Sequence, residues 1–325
     1  MDAAGDSGVG SSTARPLDVR ALERHAARLM QAPAPWLHEE VARRMAERLV
    51  VLKRAPQRVV DWSARTGGSE AALRRACPQA RRARVDAFAL QTVGAAPVVQ
   101  QAPGWRAWWQ RLRRHGGPGT SAPAPHESTL REGEADLLWA NMALHHLADP
   151  GPGMARWLRL LAVDGILMFS TLGPGTLASL RRLYAAHRWP APHAPFIDMH
   201  DLGDMLVQAG FADPVMDQEV ITLSWADPAQ ALAELRGLGG NADLGRHRGL
   251  RTPRWRRELE AALVQSGPGD RVALEFEVVY GHAVRPLPRA KVAAETTVPL
   301  EDLRGMLRRG DTRGTRDTPG ARGAR

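Results

Sequence analysis

The chain has 325 residues, 44% of them hydrophobic and 24% charged, with a net charge of +9 at pH 7. That length suits one large or two small domains with an ample core, and no run of about 18 apolar residues is present to span a membrane. A single cysteine, Cys77, excludes an internal disulfide framework and a cysteine-built zinc site, and makes the cytoplasm the expected compartment.

The opening MDAAGDSGVGSSTARP has no apolar core of the kind a secretory leader carries, and residues 1–16 read as a disordered lead-in. A helical pattern runs over 17–31, with Leu22, Ala26 and Leu29 on one face. A second helix follows Pro33 and Pro35, where Leu37, Val41, Met45, Leu49 and Leu52 recur at helical spacing. RVVDW (58–62) is strand-like, a short helix is expected over 70–76, and RARVDA (82–87) is the second strand. Residues 94–133 interrupt this order with GWRAWWQRLRRH, read as a short amphipathic helix, and the turn-rich GGPGTSAPAPHES. Trp105, Trp108 and Trp109 in that segment are read as packing residues rather than base-stacking ones.

Order resumes with ADLLWANMAL (135–144) as a buried strand, a helix over 154–161, the strand GILMFSTL (165–172) and a helix over 176–187. Apolar strands alternating with helices predict an α/β fold with a doubly wound, mostly parallel sheet and helices on both faces. The remainder comprises a helix over 201–210, the segment EVITLSWAD and a helix capped by Asp227 that ends at Gly239–Gly240. A further helix has Thr252 as N-cap and Pro253 in its first turn. LEFEVVYGHAV (274–284) closes the domain as a strand. The reading is therefore one domain over 17–286 and a disordered basic tail over 287–325 that carries much of the positive charge. No recognised nucleic-acid module accompanies the arginines, so nucleic acid is not the expected partner.

Candidate chemistry gathers at strand ends. Asp61 ends the first strand and Asp86 the second, about 20 residues beyond a glycine turn, as in folds where an acidic side chain accepts ribose hydroxyls. An aspartate at a strand end is equally a turn former. Of the glycines such a turn wants, Gly67 and Gly68 are present, while Ser63 and Arg65 take the earlier places. Asn141, His145 and His146 follow the fourth strand segment and are placed to face a substrate. The histidine pair finds no third ligand at metal-binding spacing, so no metal is assigned. In STLGPGTLASLRRLY a Gly-Pro-Gly turn opens a helix whose Arg181 and Arg182 are candidates for holding a carboxylate or form a solvated basic face.

LLWANMALHH, ILMFSTLGPGTLASLRRLY, FIDMHDLGDMLVQAGFADPVMD, ITLSW…ALAELRGLGG…GRHRGL and LEFEVVYGHAV, in that order, resemble the malonyl-[acyl-carrier protein] O-methyltransferases of biotin synthesis. The resemblance runs from about Leu17 to about Pro286 and implies a Rossmann-like methyltransferase fold with a C-terminal antiparallel strand. It also implies S-adenosylmethionine as methyl donor and an acyl carrier protein carrying malonyl as partner. The reaction it implies is methylation of the malonyl free carboxylate. Carried onto this chain, it places Asp61, Gly67 and Asp86, with Ser63 and Arg65 at the altered glycine positions, at the cofactor and makes Arg181, Arg182, Arg246 and Arg248 candidates for the acyl carboxylate. Asn141 and His145, placed by their strand-end position, join the catalytic set, and Asn141 the cofactor set as well.

The sequence departs from the family's pattern in three places. Ser63 and Arg65 stand for the first two loop glycines, Leu29 matches a cofactor-covering tyrosine, and TSAPAPHESTL lacks the expected adenine-facing aspartate. Two readings follow: an active methyltransferase with an altered cofactor pocket, or a catalytically impaired relative acting as a protein-binding module.

Overall fold

The computed structural model describes residues 15–52, 54–85, 99–101, 130–288 and 301. The chain divides into two units, Met1–Leu287 and Pro288–Arg325. The amphipathic helix read within 94–133, the tryptophans there, Asp86 and most of the basic tail fall outside the described residues.

Helix α1 (Val19–Gln31) begins where Asp18 accepts a hydrogen bond from the Ala21 backbone N–H. It starts two residues later than the apolar pattern, because Leu17 pairs as an isolated bridge with Asp243 instead. Arg15 and Pro16, at the end of the expected lead-in, are also held: the Arg15 N–H donates to Ala148 O at 2.8 Å. Helix α2 (Trp36–Glu47) follows the prolines and runs into a 3-10 turn at Arg48–Val51.

Strand β1 (Arg58–Trp62), helix α3 (Glu70–Ala76), β2 (Arg81–Val85) and β3 (Val99–Gln101) come next. After them lie β4 (Ala135–Ala140), α4 (Gly151–Leu160) and β5 (Leu161–Leu172). Then follow α5 (Ala178–Ala186), α6 (Met199–Ala209), β6 (Ala212–Trp225), α7 (Pro228–Gly237), α8 (Pro253–Ser266) and β7 (Val272–Val284). Both expected caps are in place: Asp227 accepts from Ala229 N–H and Thr252 from Trp255 N–H.

The seven strands form one sheet in the order β3-β2-β1-β4-β5-β7-β6. Strand β1 lies parallel to β2 and β4, and β4 parallel to β5. Strands β7 and β6 are antiparallel additions beyond β5, and β3 is an antiparallel addition beyond β2. The doubly wound sheet with a C-terminal antiparallel strand is thus the observed architecture. Strand order reverses between β1 and β4, so their carboxyl ends open on the crevice where ligands of such sheets bind.

The continuous apolar character of the central strands follows from burial on both faces. In β4, Leu137 and Trp139 enter one core cluster, while Leu138 and Ala140 enter the other. Helices α2, α3, α5 and α8 cover the first face, and α4 and α6 the second.

Candidate active site

The turn after β1 keeps the backbone of a glycine loop without its first glycine. Ser63 sits at φ 67°, a left-handed conformation that glycine adopts without strain. Ser63 and Ala64 N–H both donate to Val85 O, at 2.6 and 3.2 Å, which folds the turn against the end of β2. Arg65 is exposed, so its side chain does not fill the interior of the turn. A Cβ on Gly67 would come within 2.9 Å of Asn141 O and 3.0 Å of Ser63 O, so glycine is demanded there by the chain's own backbone. Asp61 is 3% exposed and stands in register between Arg84 of β2 and Trp139 of β4.

Asn141 directly follows β4, at the strand end read from the sequence, and its side chain turns inward. It is fully buried, and its amide nitrogen donates to His38 O at 2.8 Å and to Gly67 O. Its side-chain oxygen accepts from Ser170 Oγ at 2.6 Å, and that hydroxyl in turn accepts from Met142 N–H at 3.0 Å. Both polar atoms of the amide group are therefore engaged, through three hydrogen bonds, in tying α2, the β1 loop and β5 together. The side chain is a latch between elements.

His38 extends that latch. Its Nδ1–H donates to Thr66 O at 2.7 Å, and its ring stands edge-on to His145 at 6.2 Å between centroids. Burial pushes the His38 imidazole down to about 4. Burial also pushes His145 and His146 well below the usual histidine range, with the mutual repulsion of the rings and the Arg15 charge adding to it. The three rings are neutral at physiological pH. The pair His145–His146 packs at 4.0 Å, and among the described residues no group of three metal-ligating side chains forms.

Beyond His145 opens a cavity of about 510 Å³. Leu172 at the end of β5, Thr176 and Leu177 of the following turn, and Leu180 and Tyr184 of α5 form one wall. Leu235 of α7, Trp255 and Leu259 of α8, Phe196 and Phe276 add to its apolar lining. His145, Arg15, Arg236, Arg251 and Arg256 also line it.

The cations chosen from the sequence are placed elsewhere. Arg181 and Arg182 are exposed, and Arg181 donates to Pro174 O at 2.6 Å. The Gly-Pro-Gly turn before them is already covered by an internal carboxylate: Cβ atoms on Gly173 and Gly175 would meet the Glu277 oxygens at 2.0 and 2.3 Å. Arg246 is paired with Asp18 at 2.7 Å, and Arg248 is exposed. Neither the α5 arginines nor Arg246 and Arg248 line the cavity.

Arg15 and His38 were missed by sequence reasoning. His38 carried a usable signal, since it interrupts the apolar stripe Leu37, Val41, Ala42, Met45 of α2 with a buried polar group. Arg15 carried none: it adjoins a low-complexity segment, and its partners lie more than a hundred residues away.

The β1 loop fits the S-adenosylmethionine that the sequence resemblance implied. Ser63 preserves the left-handed turn, Arg65 is turned to solvent, and the buried Ser63 hydroxyl has no hydrogen-bond partner among the described residues. Leu29, at the place of the covering tyrosine, is instead packed with Ala26.

Residues 36–213 match the family described as methyltransferase domain. The chain is 38% identical over 261 residues to the malonyl-[acyl-carrier protein] O-methyltransferase of Laribacter hongkongensis, covering 79% of this chain and 86% of that protein. Similar proteins of the same name occur in Halorhodospira halophila (37% over 276 residues, 84% and 89% of the two chains) and Gallionella capsiferriformans (36% over 255 residues, 78% and 85%).

Proposed function

The chain belongs to the malonyl-[acyl-carrier protein] O-methyltransferase family, and from that premise we propose that it methylates the free carboxylate of a malonyl group carried as a thioester on acyl carrier protein, in biotin synthesis. S-adenosylmethionine, when bound, supplies an electrophilic methyl group on a sulfonium. Asp61, the Ser63 turn and Gly67 would hold it at the carboxyl end of β1, with Asp86 as the further candidate.

The observation that carries this reading is the cavity beside His145, at the carboxyl ends of β4 and β5. A carboxylate is nucleophilic without deprotonation, so the chain needs no general base. Its residues must position the acyl group and keep water out. The apolar wall of Leu172, Leu180, Phe196 and Phe276 suits the exclusion of water. The neutral His145 imidazole adds no charge that would compete for the acyl carboxylate. Arg251, stacked over Trp255 at 4.3 Å, and the exposed Arg236 and Arg256 give the lining a positive character that suits an acidic carrier protein. Among the described residues no helix is long and apolar enough to cross a membrane.

The test is to incubate the full chain with S-adenosylmethionine and malonyl-acyl carrier protein and to follow the carrier by intact mass. The expected outcome is a gain of one methylene on malonyl carrier and none on acetyl carrier, which lacks the carboxylate. Binding of S-adenosylhomocysteine without any gain on the malonyl carrier would overturn the proposed transfer.

A further inference from the structure

Arg15 is a half-buried arginine with no carboxylate partner among the described residues. Its side chain donates to three backbone carbonyls: Pro195 O at 2.9 Å, His145 O at 3.0 Å and Leu147 O. Among the described residues no ion pair involves it, and its Nε is buried without a hydrogen-bond partner. Carbonyl dipoles orient a guanidinium but do not neutralise it. Burial alone pushes Arg15 down to about 10, which still leaves it protonated at neutral pH.

The other arginines lining the cavity differ. Arg256 is paired with Glu260 at 2.7 Å, Arg251 lies on the Trp255 ring, and Arg236 is exposed. Of the remaining titratable neighbours, His145, His146 and His193 are held below the usual histidine range by burial and Tyr184 above the usual tyrosine range, so none brings a negative charge. A charged group fixed by three carbonyls, facing a cavity that supplies no counter-ion, is a preorganised receptor for an anion.

We propose that Arg15 is the residue that receives the free carboxylate of the acyl substrate in this cavity, and that it thereby distinguishes the charged substrate from the uncharged methyl ester. The inference rests on the acyl-site reading of the cavity. It deepens that reading, because it makes the site sensitive to the one change the reaction causes: a carboxylate oxygen gains a methyl group and the negative charge disappears. Loss of the charge weakens the contact with Arg15, and product release follows from the same interaction that holds the substrate. A merely structural Arg15, stitching the chain to the loop after β4, would affect charged and uncharged ligands alike.

The experiment measures, by calorimetry on the full chain with S-adenosylhomocysteine present, the affinity for malonyl-pantetheine and for its methyl ester. Wild type is expected to prefer the carboxylate form by about tenfold or more. Arg15→Gln is expected to abolish that preference while its affinity for the methyl ester stays within about twofold. Equal weakening of both ligands, or no change in preference, overturns the proposal. Where Arg15→Gln does not fold, Arg15→Lys, which keeps the charge but loses the planar fork, is read in its place. A fall of about threefold or more in preference supports the proposal, and an unchanged preference overturns it. Failure of wild type to methylate malonyl carrier protein would instead remove the acyl-site reading itself, and the inference with it.

Discussion

The turn after β1 and the cavity beyond β4 and β5 lie at the same edge of one sheet, yet Asn141 at the turn and Arg15 at the cavity use their polar groups differently. Around the turn, Asn141 commits its amide to His38 O, Gly67 O and Ser170, and His38 donates to Thr66 O, while His38 Nε2 and the Ser63 hydroxyl stay buried without partners among the described residues. The glycine that a ligand loop wants is required by Asn141 O and Ser63 O. At the cavity, Arg15 carries a charge that no described residue compensates, and His145 leaves Nε2 buried without a partner. A polar residue near a ligand-binding edge is therefore not thereby a ligand-binding residue. What separates the two roles is whether its hydrogen-bonding capacity is already consumed inside the protein.

Three outcomes test this contrast, from the largest effect down. Asn141→Ala removes the donor to His38 O and Gly67 O and the acceptor of Ser170, leaving buried groups unsatisfied; it should cost about 3 kcal/mol or more of unfolding free energy, read by urea denaturation. A loss below about 1 kcal/mol would mean that the latch is not what holds the turn.

The second is acid sensitivity. His38 titrates near 4 in the folded chain and near 6.5 when unfolded, so the unfolded state takes up its proton first as pH falls. The stability that this ring contributes is full above pH 6.5 and is lost as pH falls toward 4, by about 3 kcal/mol for His38 alone. His25, also pushed to about 4 by burial and nearby arginines, steepens the fall. His38→Gln should flatten the pH dependence of the melting temperature between those limits, and an unchanged slope would place the sensitivity elsewhere.

The smallest effect is at the turn itself. Ser63→Gly relieves a left-handed conformation and deletes a buried unpartnered hydroxyl, against a greater entropy of the unfolded chain. The expected net gain is about 1 kcal/mol, seen as a higher melting temperature. A lower one would show that the Ser63 hydroxyl contributes a contact in the folded chain.

The elements that were legible in the sequence are those decided by neighbours along the chain. The bounds of RVVDW, the short helix from Glu70 to Ala76 and the caps at Asp227 and Thr252 follow from alternation, propensity and capping within a few residues. Strand β5 was longer than expected because α4 ends at Leu160 and the chain enters the sheet at once, at Leu161. The site was legible only as an address: His145 does line the cavity, whereas Arg181 and Arg182 were read from helix position and turned outward.

The sequence by itself determined the alternation of the central strands and helices, though not strands β3 and β6, as well as the apolar faces that force a doubly covered sheet and the family to which the chain belongs. Only the tertiary structure decided which polar groups are consumed and which face the cavity. Asn141 meets His38 and Gly67, and Arg15 meets His145, Leu147 and Pro195, across separations that no local pattern encodes. Local periodicity tells a side chain which face of its element it occupies. Its hydrogen-bond partners are set by what the fold brings against that face, and those partners determine whether the group is a latch or a receptor.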